Sequence, residues 1–165
     1  MPDRQTSIRI IREHFSCGEG PLVLQHADLS ESNLSGTDLA GADFRGSNLL
    51  NVDLSGANLK GGACDGADLS YSNLSGANCR GAFFADAILR RTDLSGADLR
   101  WVGMAEAYCL YADLRDARLD SAAMILVDLR WADLRGASIV GTDLRGCLLS
   151  GVIIDDGEGG VYELV

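Results

Sequence analysis

From Leu24 to Ile154 an apolar residue returns at every fifth position without a slip, and all 27 of these centres are Leu, Ile, Phe, Met or Cys. Two residues before each centre stands a small or compact side chain, mostly Ala, Ser, Thr or Val, with Leu22, Gly62 and Cys147 as variants. The residue just before the centre is Asp or Asn in most repeats, and Gly dominates the last position, as at Gly36, Gly41, Gly56, Gly76, Gly96 and Gly136. A period of five fits neither the 3.6 of a helix nor the 2 of a strand. It marks an internal repeat running from 22 to 156.

Both flanks break this beat. "QTSIRIIREHF" predicts a short helix within an N-terminal capping segment, 1–21: Thr6 or Ser7 is placed to cap it, and Ile8, Ile11 and Phe15 fall at helical spacing. "SCGEGP" then makes the turn into the repeats. At the other end "DDGEGG" leads into "VYELV", a Gly-rich tail over 157–165 that either folds back over the last repeats or reaches a second molecule.

The copies "ADLSE", "ANLKG", "TDLSG" and "ADLRG" carry the motif A-(D/N)-L-x-x, and the chain resembles the pentapeptide-repeat family. The resemblance implies an all-β fold, a right-handed quadrilateral parallel β-helix with four pentapeptides per coil. In such a coil the centre and its small partner point inward on each side. Coils stacked about 4.8 Å apart through backbone hydrogen bonds give a rod of about 32 Å, with positive φ expected at the Gly corners. Residues twenty apart then lie above one another, so that Asn33, Asp53, Asn73, Asp93, Asp113 and Asp133 form one ladder.

Taking every fourth repeat together defines four faces. The first has centres Leu24, Phe44, Cys64, Phe84, Met104, Met124 and Leu144, where Cys64 offsets the Phe rings and Met fills the remaining space. The third is the most regular, with Leu centres until Ile154 and Ser35, Ser55, Ser75 and Ser95 following them; its acids, Asp53, Asp93, Asp113, Asp116, Asp133, Asp155 and Asp156, face only Arg115 and Arg135. On the fourth, Lys60, Arg80 and Arg100 are stacked.

The first and second faces lose their polar coat together. Where Asp or Asn is usual, the first reads Ala63, Phe83, Gly103 and Ala123, with Ala85, Ala105, Ile125 and Leu126 in the turns; the second has Ile88, Tyr108, Leu110 and Leu50. The predicted apolar patch is roughly 300–500 Å², a size that commonly marks an interaction site. Corners of the second face carry Glu31, Asn51, Tyr71, Arg91, Tyr111 and Trp131 in place of Gly until Gly151. Stacking would set Arg91 between Tyr71 and Tyr111, either stiffening the corner by cation–π contact or forming a recognition edge rich in hot-spot residue types.

Charge and cysteine content narrow the function. A net charge of −10 leaves no basic surplus to release counterions, so direct nucleic-acid binding is not expected. Five cysteines without a C-x-x-C spacing indicate neither a disulfide framework nor a zinc site; Cys64, Cys79, Cys109 and Cys147 face inward by phase, and a reducing, cytoplasmic location is the expectation. No targeting segment or membrane span is predicted. His14 and His26 have structural or solvated roles. The recurrent Asp side chains serve backbone N–H groups at turns rather than catalysis or a cation, and no hydrolase, metalloprotease or nucleotide-binding motif occurs.

The expected function is a non-enzymatic protein-interaction or structural module. It binds a protein partner, or a second copy of itself as a homodimer, through Phe83, Ile88, Tyr108, Leu110, Ile125 and Leu126, edged by Tyr71, Tyr111 and Trp131. No cofactor, metal or small-molecule substrate is expected. The alternative, implied by resemblance to quinolone-resistance pentapeptide proteins, is a DNA-mimicking modulator of DNA gyrase or topoisomerase IV. Duplex DNA of the rod's length carries roughly 18 charges, many more than the acidic third face offers, and the family's gyrase-active members usually carry a dimerising C-terminal helix, or a projecting loop for which the uninterrupted phase leaves no room.

Overall fold

The computed structural model describes residues 8, 9, 11, 14, 20–155, 157 and 160–164. From Val23↔Asp43 to Asp133↔Ile153, each isolated bridge is parallel and joins residues twenty apart. One coil is therefore four pentapeptides, and the stacked coils form a β-helix.

A single repeat shows why the motif folds this way. In 52–56, "VDLSG", the Val52 N–H closes a turn onto the Leu49 carbonyl at 3.3 Å. Asp53 N–H reaches the Ser32 carbonyl of the preceding coil at 3.0 Å, while Leu54 and Gly56 N–H reach the carbonyls of Asn73 and Ser75 in the following coil at 2.7 and 2.9 Å. Four of the five backbone donors are thereby used. The fifth, Ser55 N–H, donates to the Asp53 carboxylate at 3.0 Å. Buried or half-buried backbone donors need such partners, and a short acceptor two residues upstream supplies one locally. This is the physical reason for Asp or Asn before the centre: the same bond recurs from Ser35 to Asn33, Ser75 to Asn73 and Ser95 to Asp93.

The last position of every repeat from His26 to Gly151 has positive φ, including thirteen residues that are not Gly. The left-handed conformation costs a side-chain-bearing residue about 1–2 kcal/mol. Tyr71, Arg91, Tyr111, Leu126 and Trp131 adopt it with φ between 55° and 63°.

The interior follows the predicted phase. Phe44, Cys64, Phe84, Met104 and Met124 are buried under the first face, as are the Leu centres of the second up to Leu129 and of the third up to Leu134. Inward Ser and Thr are satisfied locally: Ser72 Oγ donates to the Leu49 carbonyl at 2.5 Å and Thr92 Oγ1 to that of Leu69 at 2.8 Å. Ile8, Arg9, Ile11 and His14 are helical; Ile11 is buried and Ile8 packs against the core. The expected capping residues Thr6 and Ser7, and Phe15, lie outside the described residues.

The C-terminal segment folds back. Strand β1, Ile153–Asp155, pairs antiparallel with β2, Val161–Glu163, so the tail covers the end of the third face. Elsewhere in the last coil Ile139, Leu144 and Leu149 keep the inward phase but remain partly or largely exposed, because among the described residues no further coil covers them. Cys147 corrects the expectation of a fully enclosed thiol: it is only half-buried, with Sγ 2.8 Å from the Met124 carbonyl. Cys64, Cys79 and Cys109 are buried, and desolvation pushes the Cys79 thiol up to about 12.

Candidate functional site

The first and second faces carry most of the outward apolar residues. Ala63, Phe83, Gly103 and Ala123 form one run of bridges, and Asp68, Ile88, Tyr108 and Asp128 form the neighbouring one. Phe83 is 54% exposed while the adjacent Phe84 is 1% exposed, which places consecutive Phe rings outside and inside the rod. Ile88, Tyr108 and Leu126 are also exposed. Leu110 and Ile125 are half-buried in their turns, so they contribute edges rather than whole side chains. A surface groove of about 270 Å³ runs along the second face, lined by Ile88, Arg90, Tyr108, Leu110 and Asp128.

Loss of the Asp/Asn position has a backbone consequence that residue types alone did not reveal. Phe83 cannot serve Ala85 N–H, which turns to the Asp65 carboxylate of the coil before at 3.0 Å. The N–H groups of Arg90, Ala105, Leu110 and Ile125, behind Ile88, Gly103, Tyr108 and Ala123, have no hydrogen-bond acceptor among the described residues. Unused donors thus accompany the apolar side chains on both faces.

The same loss changes the arginines. Wherever Arg follows the centre and Asp precedes it, the two close a charge-assisted fork: Arg45–Asp43, Arg100–Asp98, Arg115–Asp113, Arg130–Asp128, Arg135–Asp133 and Arg145–Asp143, at 2.5–2.7 Å. The guanidinium holds each carboxyl below the usual carboxylate range. Arg90 has Ile88 in that place and forms no ion pair among the described residues.

The corner row differs from the predicted sandwich. Arg91 lies over the Tyr111 ring at 5.2 Å, and Tyr111 stacks on Trp131 with centroids 6.3 Å apart and planes 12° apart. The Trp131 indole in turn lies where a side chain on Gly151 would be. The stack is therefore Arg91–Tyr111–Trp131, and Tyr71 makes no aromatic or cation–π contact among the described residues. Positive φ aims each corner side chain along the rod, so the inner ring faces are covered by neighbours. This geometry stiffens the corner and leaves ring edges outward.

Trp101 escaped the sequence reading. It stands at positive φ on the fourth-face corner, with Arg80 4.1 Å and Arg100 5.5 Å from its ring. The signal was present: Trp interrupts a corner column otherwise made of Gly and Ser, directly beside the Lys60, Arg80 and Arg100 row. Among the described residues no group of three or more His, Cys, Asp or Glu side chains is arranged to hold a metal ion. No described helix is long and apolar enough to cross a membrane.

The sequence pattern of pentapeptide repeats matches eight copies, over residues 23–61, 64–102 and 112–151. Coil geometry continues unchanged through the unmatched 103–111, which holds Gly103, Tyr108, Leu110 and Tyr111. Solved structures similar to the chain include HetL from the cyanobacterium Nostoc sp. strain PCC 7120, a pentapeptide repeat protein involved in heterocyst differentiation regulation, at 28% identity over 87% of this chain and 73% of that one, with a TM-score of 0.45. A pentapeptide repeat protein of the Arabidopsis thaliana thylakoid lumen is 31% identical over 69% and 72%, with a TM-score of 0.49. QnrB1, a plasmid-mediated fluoroquinolone resistance protein, is 20% identical over 81% and 74%, with a TM-score of 0.51, a likeness of fold alone. No curated protein sequence matches the chain. The family pattern matches well over half of the chain, and the coil period agrees with it: the chain belongs to the pentapeptide-repeat family.

Proposed function

We propose that this protein is a non-enzymatic interaction module, a right-handed, four-sided rod closed by an N-terminal helical cap, that binds a protein partner through the first and second faces. Phe83, Ile88 and Tyr108 form the contact strip, Leu110, Ile125 and Leu126 its half-buried or corner margins, and the Arg91–Tyr111–Trp131 stack its stiff border. The observation that carries this reading is the coincidence, on two adjacent faces, of exposed apolar side chains with backbone donors lacking acceptors. On the third face the equivalent donors, from Ser35 to Arg135, are all satisfied internally, so a partner gains more here. Burying an exposed Phe or Tyr side chain contributes about 1.5–3 kcal/mol.

The test compares proteins captured from the native cell extract by the wild-type chain with those captured by Phe83→Asp and Tyr108→Asp. A protein retained by the wild type and lost by both variants, with their thermal midpoints unchanged, supports the reading. Retention by both variants removes it. Imitation of DNA is the weaker reading, since six of the rod's carboxylates are already neutralised by arginine forks; inhibition of gyrase supercoiling by the purified protein would revive it.

A further inference from the structure

We propose that the groove on the second face is a receptor for a carboxylate side chain of the partner, presented by an extended segment in which Asp or Glu stands two residues from a bulky apolar residue on the same face. This rests on the interaction reading above and specifies the partner's chemistry. The rod itself supplies the precedent. In six repeats an Arg after the centre folds back on an Asp two residues upstream, with the Arg N–H, Nε and Nη2 all donating to the one carboxylate, as between Arg130 and Asp128 at 3.2, 2.8 and 2.7 Å. Arg90 occupies the same place in its repeat and has the same three kinds of donor. Ile88 stands where its carboxylate would be, so both the guanidinium and the Arg90 N–H remain unused among the described residues.

One coil along, Tyr108 takes the place of the next Asp, and Leu110 N–H is unused as well. Ile88, Tyr108 and Leu110 line the groove between Arg90 and Asp128. Asp128 is committed to Arg130 at 2.7 Å and does not compete for Arg90. Charge complementarity thus selects an acceptor-bearing anionic group over Arg90, and the apolar lining selects a bulky side chain beside it. The two features lie on successive coils, about 4.8 Å apart, within reach of side chains two residues apart, which share one face of an extended segment at about 6.6 Å spacing.

A phage-displayed library of random 12-residue peptides panned against the full chain tests this, with Ile88→Asp as the counter-selection. That variant rebuilds the internal fork with Arg90, so it is expected to fold at least as well as the wild type while losing the peptides. Retained peptides are expected to share Asp or Glu two residues from Leu, Phe or Trp. Arg90→Gln in the protein, or Glu→Gln in the peptide, should each weaken binding about tenfold to a hundredfold, the range for a hydrogen bond to a charged group. Peptides without an acidic consensus, or binding unchanged by Arg90→Gln, overturn the inference. If those same peptides are lost on Tyr108→Asp, the apolar interaction reading survives its fall; if no retained peptide depends on Tyr108 or Arg90, both fall.

Discussion

The third face and the paired first and second faces are built on one backbone and behave as opposites. On the third, each Asn or Asp from Asn33 to Asp133 accepts the N–H two residues on, and the corners up to Gly96 are Gly. That surface is complete by itself. On the second, Ile88 and Tyr108 abandon the acceptor role, Arg90 and Leu110 N–H go unused, and Tyr71, Arg91, Tyr111 and Trp131 hold left-handed corners that Gly would occupy without strain. Local rules that the third face obeys up to Gly96 are broken together on the first and second, which is the pattern expected of a functional surface. The inner core, by contrast, keeps a single inward phase beneath all four faces.

That separation between an interior of constant phase and unequal surfaces is open to attack at several points. Phe84→Ala should have the largest effect, destabilising the rod by about 3–5 kcal/mol as a large core truncation, whereas Phe83→Ala next to it should stay within about 0.5 kcal/mol; thermal or urea unfolding of both variants checks the contrast. Equal losses would contradict the inside–outside phase. On the third face, Asn73→Ala removes the acceptor of Ser75 N–H and should cost about 1 kcal/mol, while Ile88→Ala on the second removes no acceptor and should leave every backbone hydrogen bond intact, as amide exchange would report.

Acid should weaken the rod through its arginine forks. The carboxyls of Asp43, Asp98, Asp113, Asp128, Asp133 and Asp143 sit below their ordinary values because Arg side chains donate to them. A folded-state value below the unfolded one gives a contribution that is full above about pH 4 and is lost as pH falls through the folded value. The thermal midpoint should therefore decline below about pH 4, and 1 M salt, which screens exposed pairs, should reduce this acid-sensitive part. The smallest effect concerns Tyr71, which has a positive φ and no ring partner among the described residues. Tyr71→Gly should be neutral or stabilising by up to about 1 kcal/mol, since relief of the left-handed side chain outweighs the flexibility of Gly. Trp131→Gly loses the stack with Tyr111 and should be destabilising.

Much of this was legible in the residues. The five-residue beat placed Phe84 inside, Phe83 outside and Ala63 above Ala123, because inward positions tolerate only compact apolar side chains and the phase never slips. The same beat located the apolar strip. It did not reveal that Arg90 is deprived of a carboxylate, since that requires knowing that Asp before the centre serves the N–H two residues later and captures an Arg there. Nor did it fix the corner stack: the direction in which a left-handed side chain leans decides whether Arg91 meets Tyr71 or Tyr111, and one-dimensional spacing is symmetric between them. Half-burial of Cys147 and folding-back of Val161–Glu163 depend on where coils cease to cover one another, which the repeat pattern alone leaves open.

The central claim, that contact is made through the first and second faces and not the third, is tested most directly by titrating a captured partner protein against Tyr108→Asp and Asp93→Ala in parallel by calorimetry. The account predicts that Tyr108→Asp loses binding while Asp93→Ala binds as the wild type does. Full affinity in Tyr108→Asp, or binding lost only in Asp93→Ala, would contradict it.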